Sequence, residues 1–197
     1  MRIQTFNMED IEEAAKLTYD IWGDELREES LKFKHFVYEA MVRYYCRSTE
    51  YSFKLVDDDA KMQAFLLAAK ANEHNHSGEW FLSQVYKFTQ RERILAQSYL
   101  RYLHYNGDQM LKRANRDDLL LCLFLSKIGG GGKQLLQNVE LKARETGVDK
   151  MLLWADETCD YDYYLRRGFL QADSFTNEVL PELGPQATIV YSKKLNL

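Results

Sequence analysis

The run LLLCLFLS at Leu119–Ser126, followed directly by KIGGGGKQLL at Lys127–Leu136, decides the fold of this chain. The first stretch is continuously apolar and is bounded by Asp117 and Asp118 on one side and a glycine cluster on the other. That pattern predicts a central strand covered on both faces. After the glycines, Leu135, Leu136, Val139 and Ala143 fall at helical spacing and Gly147 ends the helix, and KMLLWA (150–155) then reads as a second buried strand. Strand, glycine loop, helix and strand make a right-handed crossover unit, which places the chain in the α/β class.

Upstream, Arg2 to Phe6 reads as a short strand, and Asn7 or Asp10 is placed to cap a helix over IEEAAKLTYDIW. From Ser30 the run LKFKHFVYEAMVRYYC carries a broad apolar face at helical period, which makes two helices in succession. YSFKLV and KMQAFLLAAK, joined by Asp57, Asp58, Asp59 and Ala60, predict a hairpin with an acidic turn. Residues 71–80 are polar and turn-rich. From about Thr89 to Ala114 there is no proline and only Gly107, so one or two helices are expected, and 71–116 reads as a helical insertion. Downstream, a short helix through Tyr161 to Arg167 ends at Gly168. FLQADSF and ATIVYSKKL then form a closing hairpin around a turn with Pro181, Gly184 and Pro185.

Four consecutive glycines, Gly129, Gly130, Gly131 and Gly132, cost backbone entropy and contribute no packing, so something requires bare backbone there. The physical candidate is an anion, because amides converge at the start of the following helix and its dipole adds positive potential. Two nucleotide motifs fail on spacing. The Walker pattern needs Gly and Ser or Thr where Lys127 and Gln134 stand. The dinucleotide fingerprint needs a third glycine where Gln134 or Leu135 stands.

The remaining pattern is Arg or Gln, two residues, Gly, one residue, Gly or Ala, then a helix with an early Leu. Lys127 to Leu136 resembles this pyrophosphate loop of the GNAT acetyltransferases, with Lys127 in place of the usual Arg or Gln. A second element agrees: Tyr164 stands four residues before Gly168–Phe169, as a Tyr often does before a Gly-Phe pair in that family. The resemblance covers nearly all the chain outside the insertion. It implies one GNAT domain over 1–197, a mixed, mostly antiparallel, twisted sheet of about seven strands with flanking helices and a helical insertion between strands 3 and 4. Phe124 departs from the family's frequent Pro, and Thr158 and Cys159 replace its common Asn-Ala.

The resemblance further implies acetyl-CoA as cosubstrate and direct attack of an acceptor amine on the thioester, in a cleft where strands 119–126 and 151–156 splay apart. Phe124, Leu125, Lys127, Ile128, the four glycines, Lys133 and Cys159 would line the acetyl-CoA side. Tyr164 would donate the proton to the departing thiolate, and a backbone N–H near Leu125 would hold the oxyanion. For the base, the candidates are Glu73, His74 and His76, Asp117 and Asp118, and Asp156 or Glu157, with a water chain as the other route. Lys127 and Lys133 can approach a phosphate without tight geometry. Residues 24–50 and the insertion would flank the acceptor, with Glu25, Glu28, Glu29, Tyr38, Tyr44 and Tyr45 suited to a cation. A non-catalytic acyl-CoA-binding module would keep the glycine loop without depending on Tyr164.

Composition bounds these readings. With 197 residues, 46% hydrophobic and 28% charged, the chain is long enough to bury a full core. A formal net charge of -4 with both signs interspersed disfavours nucleic acid and anionic membrane as partners. No apolar run reaches bilayer length and the start lacks a signal-peptide layout, so the cytoplasm is expected. Cys46, Cys122 and Cys159 are odd in number and without CxxC spacing, which argues for reduced thiols. His74 and His76 lack a spaced third ligand, so no metal is expected. Asp156, Glu157, Asp160 and Asp162 surround Cys159 with negative charge, which favours a packing or cofactor-adjacent role over a nucleophile. The C-terminal hairpin is compatible with a homodimer or a monomer.

Overall fold

The computed structural model describes residues 1–26, 28–156, 159–180 and 185–195. In chain order the elements are β1 (Arg2–Thr5), α1 (Ile11–Trp22), α2 (Leu31–Tyr45), β2 (Phe53–Val56), β3 (Met62–Lys70), α3 (Gly78–Val85), α4 (Gln90–Leu111) and β4 (Leu119–Ser126), then α5 (Gly131–Glu145), β5 (Lys150–Asp156), α6 (Tyr161–Leu165), β6 (Leu170–Asn177) and β7 (Gln186–Lys194). The seven strands form one sheet in the order β1-β2-β3-β4-β5-β7-β6, with only the β4–β5 pair parallel. The expected seven-stranded, mostly antiparallel α/β sheet is therefore present, with β4 at its centre.

Two apolar layers sandwich the sheet. On one face Phe65 and Leu67 of β3 pack with Phe33, Phe36 and Val37 of α2 and with Ile11 and Ala14 of α1. On the other face Leu66 and Ala68 pack with Leu135, Leu136 and Val139 of α5. Alternate residues of one strand thus serve opposite layers, and each large side chain so buried contributes about 1.5–3 kcal/mol.

Local chemistry sets the helix starts. Ser30 Oγ accepts from the Phe33 amide at 3.2 Å to open α2. Thr89 and Glu92 form a reciprocal capping box that opens α4, with the Thr89 amide donating to Glu92 Oε2 at 2.9 Å and the Glu92 amide to Thr89 Oγ1 at 3.3 Å. The insertion therefore contains one long helix preceded by a short one. α3 begins inside the stretch that reads as turn-rich, because Phe81 and Val85 alone bury its inner side, too few residues for a visible period. The Phe36 ring meets those of Phe81 and Phe88 at 5.5 and 4.7 Å, locking the insertion onto α2. The far end of α4 reaches β6 through the ion pair of Arg113 with Asp173.

The sheet is interrupted at its centre. Leu67 pairs with Leu123 and Ala68 with Leu121, so Cys122 is an extra residue in β4. Such a bulge bends its strand and switches which face its side chains serve: Leu121 joins the α5 layer, whereas Leu123 and Leu125 join the α1–α2 layer. Accordingly β4 pairs with β5 only at Leu119–Met151 and Leu120–Leu152, while β5 continues along β7 from Lys150 to Asp156. Past Leu120 the two central strands diverge.

Candidate functional site

The divergence opens a cavity of about 350 Å³ at the C-terminal ends of β4 and β5. Trp22, from the α1 side, and Phe124 and Tyr163, from the α5 side, both line it, so it runs through the sheet rather than lying on one face. This is the size range of small-molecule sites.

The glycine loop forms one wall, and its four members differ. Gly130 has φ +79°, a left-handed conformation that caps α5 and that side-chain-bearing residues rarely adopt. A Cβ on Gly131 would stand 2.8 Å from Ser126 Oγ, and one on Gly132 would stand 2.8 Å from Phe124 Cζ and 3.2 Å from Tyr163 Oη. Gly129 meets neither constraint: a Cβ there has open space. The Gly131 amide closes the turn on the Ile128 carbonyl at 3.3 Å, and the Ser126 hydroxyl donates to the same carbonyl at 2.8 Å. The amides of Gly132 and Lys133 remain at the open helix end, where an anion is favoured.

Two buried polar atoms at this wall have no hydrogen-bond partner among the described residues, Tyr163 Oη and Arg167 Nε. Both side chains line the cavity, and the Arg167 guanidinium lies 5.3 Å from the Tyr163 ring centre. Burial pushes the Tyr163 hydroxyl upward in pKa, with Arg167 partly offsetting it. An anion at the helix end would satisfy orphan donors of this kind, so the residues present fit a pyrophosphate group.

The residues expected from sequence separate into two groups. Phe124, Ile128, Gly130, Gly132 and Lys133 line the cavity, as do Cys159 and Tyr164 on the other wall. Leu125 is buried in the α1–α2 layer, Gly131 is packed beneath the loop, and Gly129 precedes the cap. Lys127 pairs with Asp20 at 3.0 Å in an exposed position, and the cations at the cavity are Lys133 and Arg167. Backbone direction refines the oxyanion expectation. The Lys127 amide donates to Gln63 O at 2.9 Å. Amides alternate along a strand, so that of Leu125 also turns to β3 while those of Phe124 and Ser126 face the gap.

Tyr164 is held by rings on three sides: Phe169 at 6.0 Å, Tyr191 at 5.9 Å and Tyr163 at 5.5 Å. Burial, reinforced by nearby Cys159, pushes its hydroxyl far up. Of the base candidates, Glu73 accepts from the Lys70 amide at 2.7 Å, His74 and His76 are exposed, and Asp117 is exposed. Asp118 is buried in an ion pair with Lys150 at 2.7 Å, at the closed end of β4. Asp156 alone of the described candidates ends a strand at the gap, where its Oδ2 accepts from Tyr102 Oη at 2.7 Å. Glu157 and Thr158 lie outside the described residues, as do the Glu25 side chain and the turn residues Pro181 and Gly184. Among the acceptor-side tyrosines, Tyr38 donates to the Trp22 carbonyl at 2.6 Å and Tyr44 to that of Leu103 at 3.1 Å, both structural bonds.

The whole chain, including the diverging central strands, superposes on solved structures. The coenzyme A complex of an aminoglycoside 6'-N-acetyltransferase superposes with a TM-score of 0.56 at 12% identity, covering 100% of this chain and 98% of that one. The chain has the GNAT acetyltransferase fold. Arylalkylamine N-acetyltransferase 2 from Aedes aegypti shares it with a TM-score of 0.57 at 12% identity over 99% of both chains. So does the Drosophila melanogaster polyamine N-acetyltransferase that forms N-acetylagmatine, with a TM-score of 0.57 at 12% identity, covering 98% of this chain and 99% of that one. By sequence the chain matches no family model and no curated protein. The GNAT fold accounts for the whole described sheet, and the helices between β3 and β4 lie within the superposed length.

Proposed function

We propose that this chain is an acetyl-CoA-dependent N-acetyltransferase that acts as a single domain on a primary amine of a small molecule or peptide by direct transfer. The observation that carries the proposal is the opening of β4 from β5 after Leu120, which leaves strand amides facing a slot whose mouth is the glycine-capped end of α5. The solved structures that share the fold and act on arylalkylamines, polyamines and aminoglycosides support the reaction class.

In this reading acetyl-CoA supplies the acyl carbon as a thioester, activated toward an amine. Gly132 and Lys133 amides, the Lys133 ammonium and Arg167 hold the pyrophosphate end. Either the Phe124 or the Ser126 N–H, both pre-aimed at the gap by strand geometry but roughly 6.5 Å apart along it, stabilises negative charge on a carbonyl oxygen, a contribution of about 3–4 kcal/mol for one donor in a well-formed site. Tyr164 holds a proton on Oη at the same cavity, ready for a leaving thiolate. A phenol is protonated at neutral pH in any case, and burial, which opposes the phenolate, holds that proton more tightly. We place this activity in the cytoplasm, a reading with which three free cysteines agree.

The test is release of free CoA from acetyl-CoA across a panel of primary amines, with wild type and Tyr164→Phe. The reading expects amine-dependent release that falls by roughly two orders of magnitude or more in the variant at unchanged CoA affinity. Binding of acetyl-CoA with no amine-dependent release across the panel would replace it with the non-catalytic acyl-CoA-binding module.

A further inference from the structure

Beside the cavity, at the end of β5, lies a cluster of polar side chains. Along β5 the even-numbered residues face α4: Leu152 and Trp154 pack there, and Asp156 continues the row to the strand end. On β7 Val190 serves the same layer, and Thr188 lies two residues before it, directly opposite Asp156 in register. From α4 come Tyr102, which donates to Asp156 Oδ2 at 2.7 Å, and Asn106, which accepts from Asn177 Nδ2 at 2.8 Å.

Asn106 and Thr188 are fully buried, yet Asn106 Nδ2 and Thr188 Oγ1 have no hydrogen-bond partner among the described residues. Leaving such atoms unsatisfied costs free energy that a polar guest, water or ligand, would recover. The cluster connects to the cavity: Cys159 lines it, and Cys159 Sγ lies 3.7 Å from Asp156 Oδ1. The surroundings are aromatic. Tyr102 meets Trp154 edge-on at 6.1 Å, and Trp22 and Phe124 line the slot beyond. A carboxylate among aromatic faces is the chemistry that selects a compact organic cation.

Resting on the acetyl-transfer reading, we propose that Asp156, oriented by Tyr102 of the inserted helix, is the specificity-determining anchor for the acceptor, which is a cationic primary amine bearing an apolar or aromatic body. Asp156 holds the ammonium on arrival, and the ammonium proton then passes through Asp156 to solvent to free the lone pair for attack. Tyr102 positions Asp156, and the Asn106–Thr188 floor keeps a polar group or water beneath it. The insertion thus supplies half of the acceptor site.

The test uses the whole protein, tyramine as the probe and 4-ethylphenol as its uncharged counterpart, with CoA and tyramine affinities measured separately by calorimetry. Tyramine is titrated into CoA-saturated wild type, Asp156→Asn, Asp156→Glu and Tyr102→Phe. The proposal expects tyramine to bind wild type better than 4-ethylphenol and to weaken by roughly tenfold or more in Asp156→Asn, less in Asp156→Glu and Tyr102→Phe, at unchanged CoA affinity. It is overturned by equal tyramine affinity in wild type and Asp156→Asn, by equal binding of the two probes, or by no tyramine binding to wild type. Absence of CoA binding in wild type would remove the acetyl-transfer reading instead, and tyramine binding to the free protein would still decide the role of Asp156.

Discussion

Replacing Gly132 by Ala adds one methyl group against Phe124, and the structure sets the size of the effect. The new Cβ would lie 2.8 Å from Phe124 Cζ and 3.2 Å from Tyr163 Oη, whereas carbon atoms in contact prefer about 3.5–4.0 Å. Phe124 must therefore retreat by roughly 0.7 Å or more, and overpacking of this kind costs about 1–3 kcal/mol. The ring lines the cavity, so its retreat also reshapes the slot, and CoA affinity should fall roughly tenfold, equivalent to about 1.4 kcal/mol. Gly129→Ala is the internal control, because a Cβ there meets nothing and the backbone is not left-handed. Urea unfolding and calorimetric CoA titration of both variants would measure these effects. Equal stability and equal CoA affinity for Gly132→Ala and wild type would refute the reasoning, as would a loss in Gly129→Ala as large as that in Gly132→Ala.

Other consequences can be measured as directly. Gly130→Ala forces a side chain into a left-handed cap and should cost about 1–2 kcal/mol in urea unfolding, with no cost expected only if the loop changes conformation. Asp118→Asn removes the charge that pairs with Lys150 and should lower stability by about 1–3 kcal/mol while leaving CoA affinity unchanged, since it sits at the closed end of β4; a specific loss of CoA binding would contradict that placement. Burial raises the Cys46 thiol to about 11 and also raises that of Cys122, so only roughly a thousandth of Cys46 is thiolate at pH 8. Iodoacetamide should therefore modify Cys159 first, with CoA protecting it, and peptide mass spectrometry would expose faster labelling at Cys46 or an absence of protection.

Particular residues show what could be read from the chain alone. Leu119–Ser126, the glycines and Leu135–Ala143 were legible because burial on two faces, bare backbone and helical period each leave a pattern within a dozen residues. The bulge at Cys122 was not, because an extra residue in a ladder depends on register with β3 rather than on its own side chain. Tyr102 and Asp156 are 54 residues apart, and neither lies in a motif, so only the packing of α4 on β5 brings them together. Arg167 stands inside the Tyr-to-Gly-Phe stretch, yet only the turn of α6 reveals that its buried Nε faces the cavity without a partner. Lys127 shows the converse: its position beside the loop suggested phosphate, and a carboxylate on α1 engages it instead.

The most direct test of the account is calorimetric titration of the wild-type chain with acetyl-CoA beside Gly130→Asp and Gly132→Asp. The account predicts saturable binding to wild type that both variants lose while remaining folded. No binding to wild type at millimolar acetyl-CoA would contradict it and leave the cavity between β4 and β5 to some other ligand.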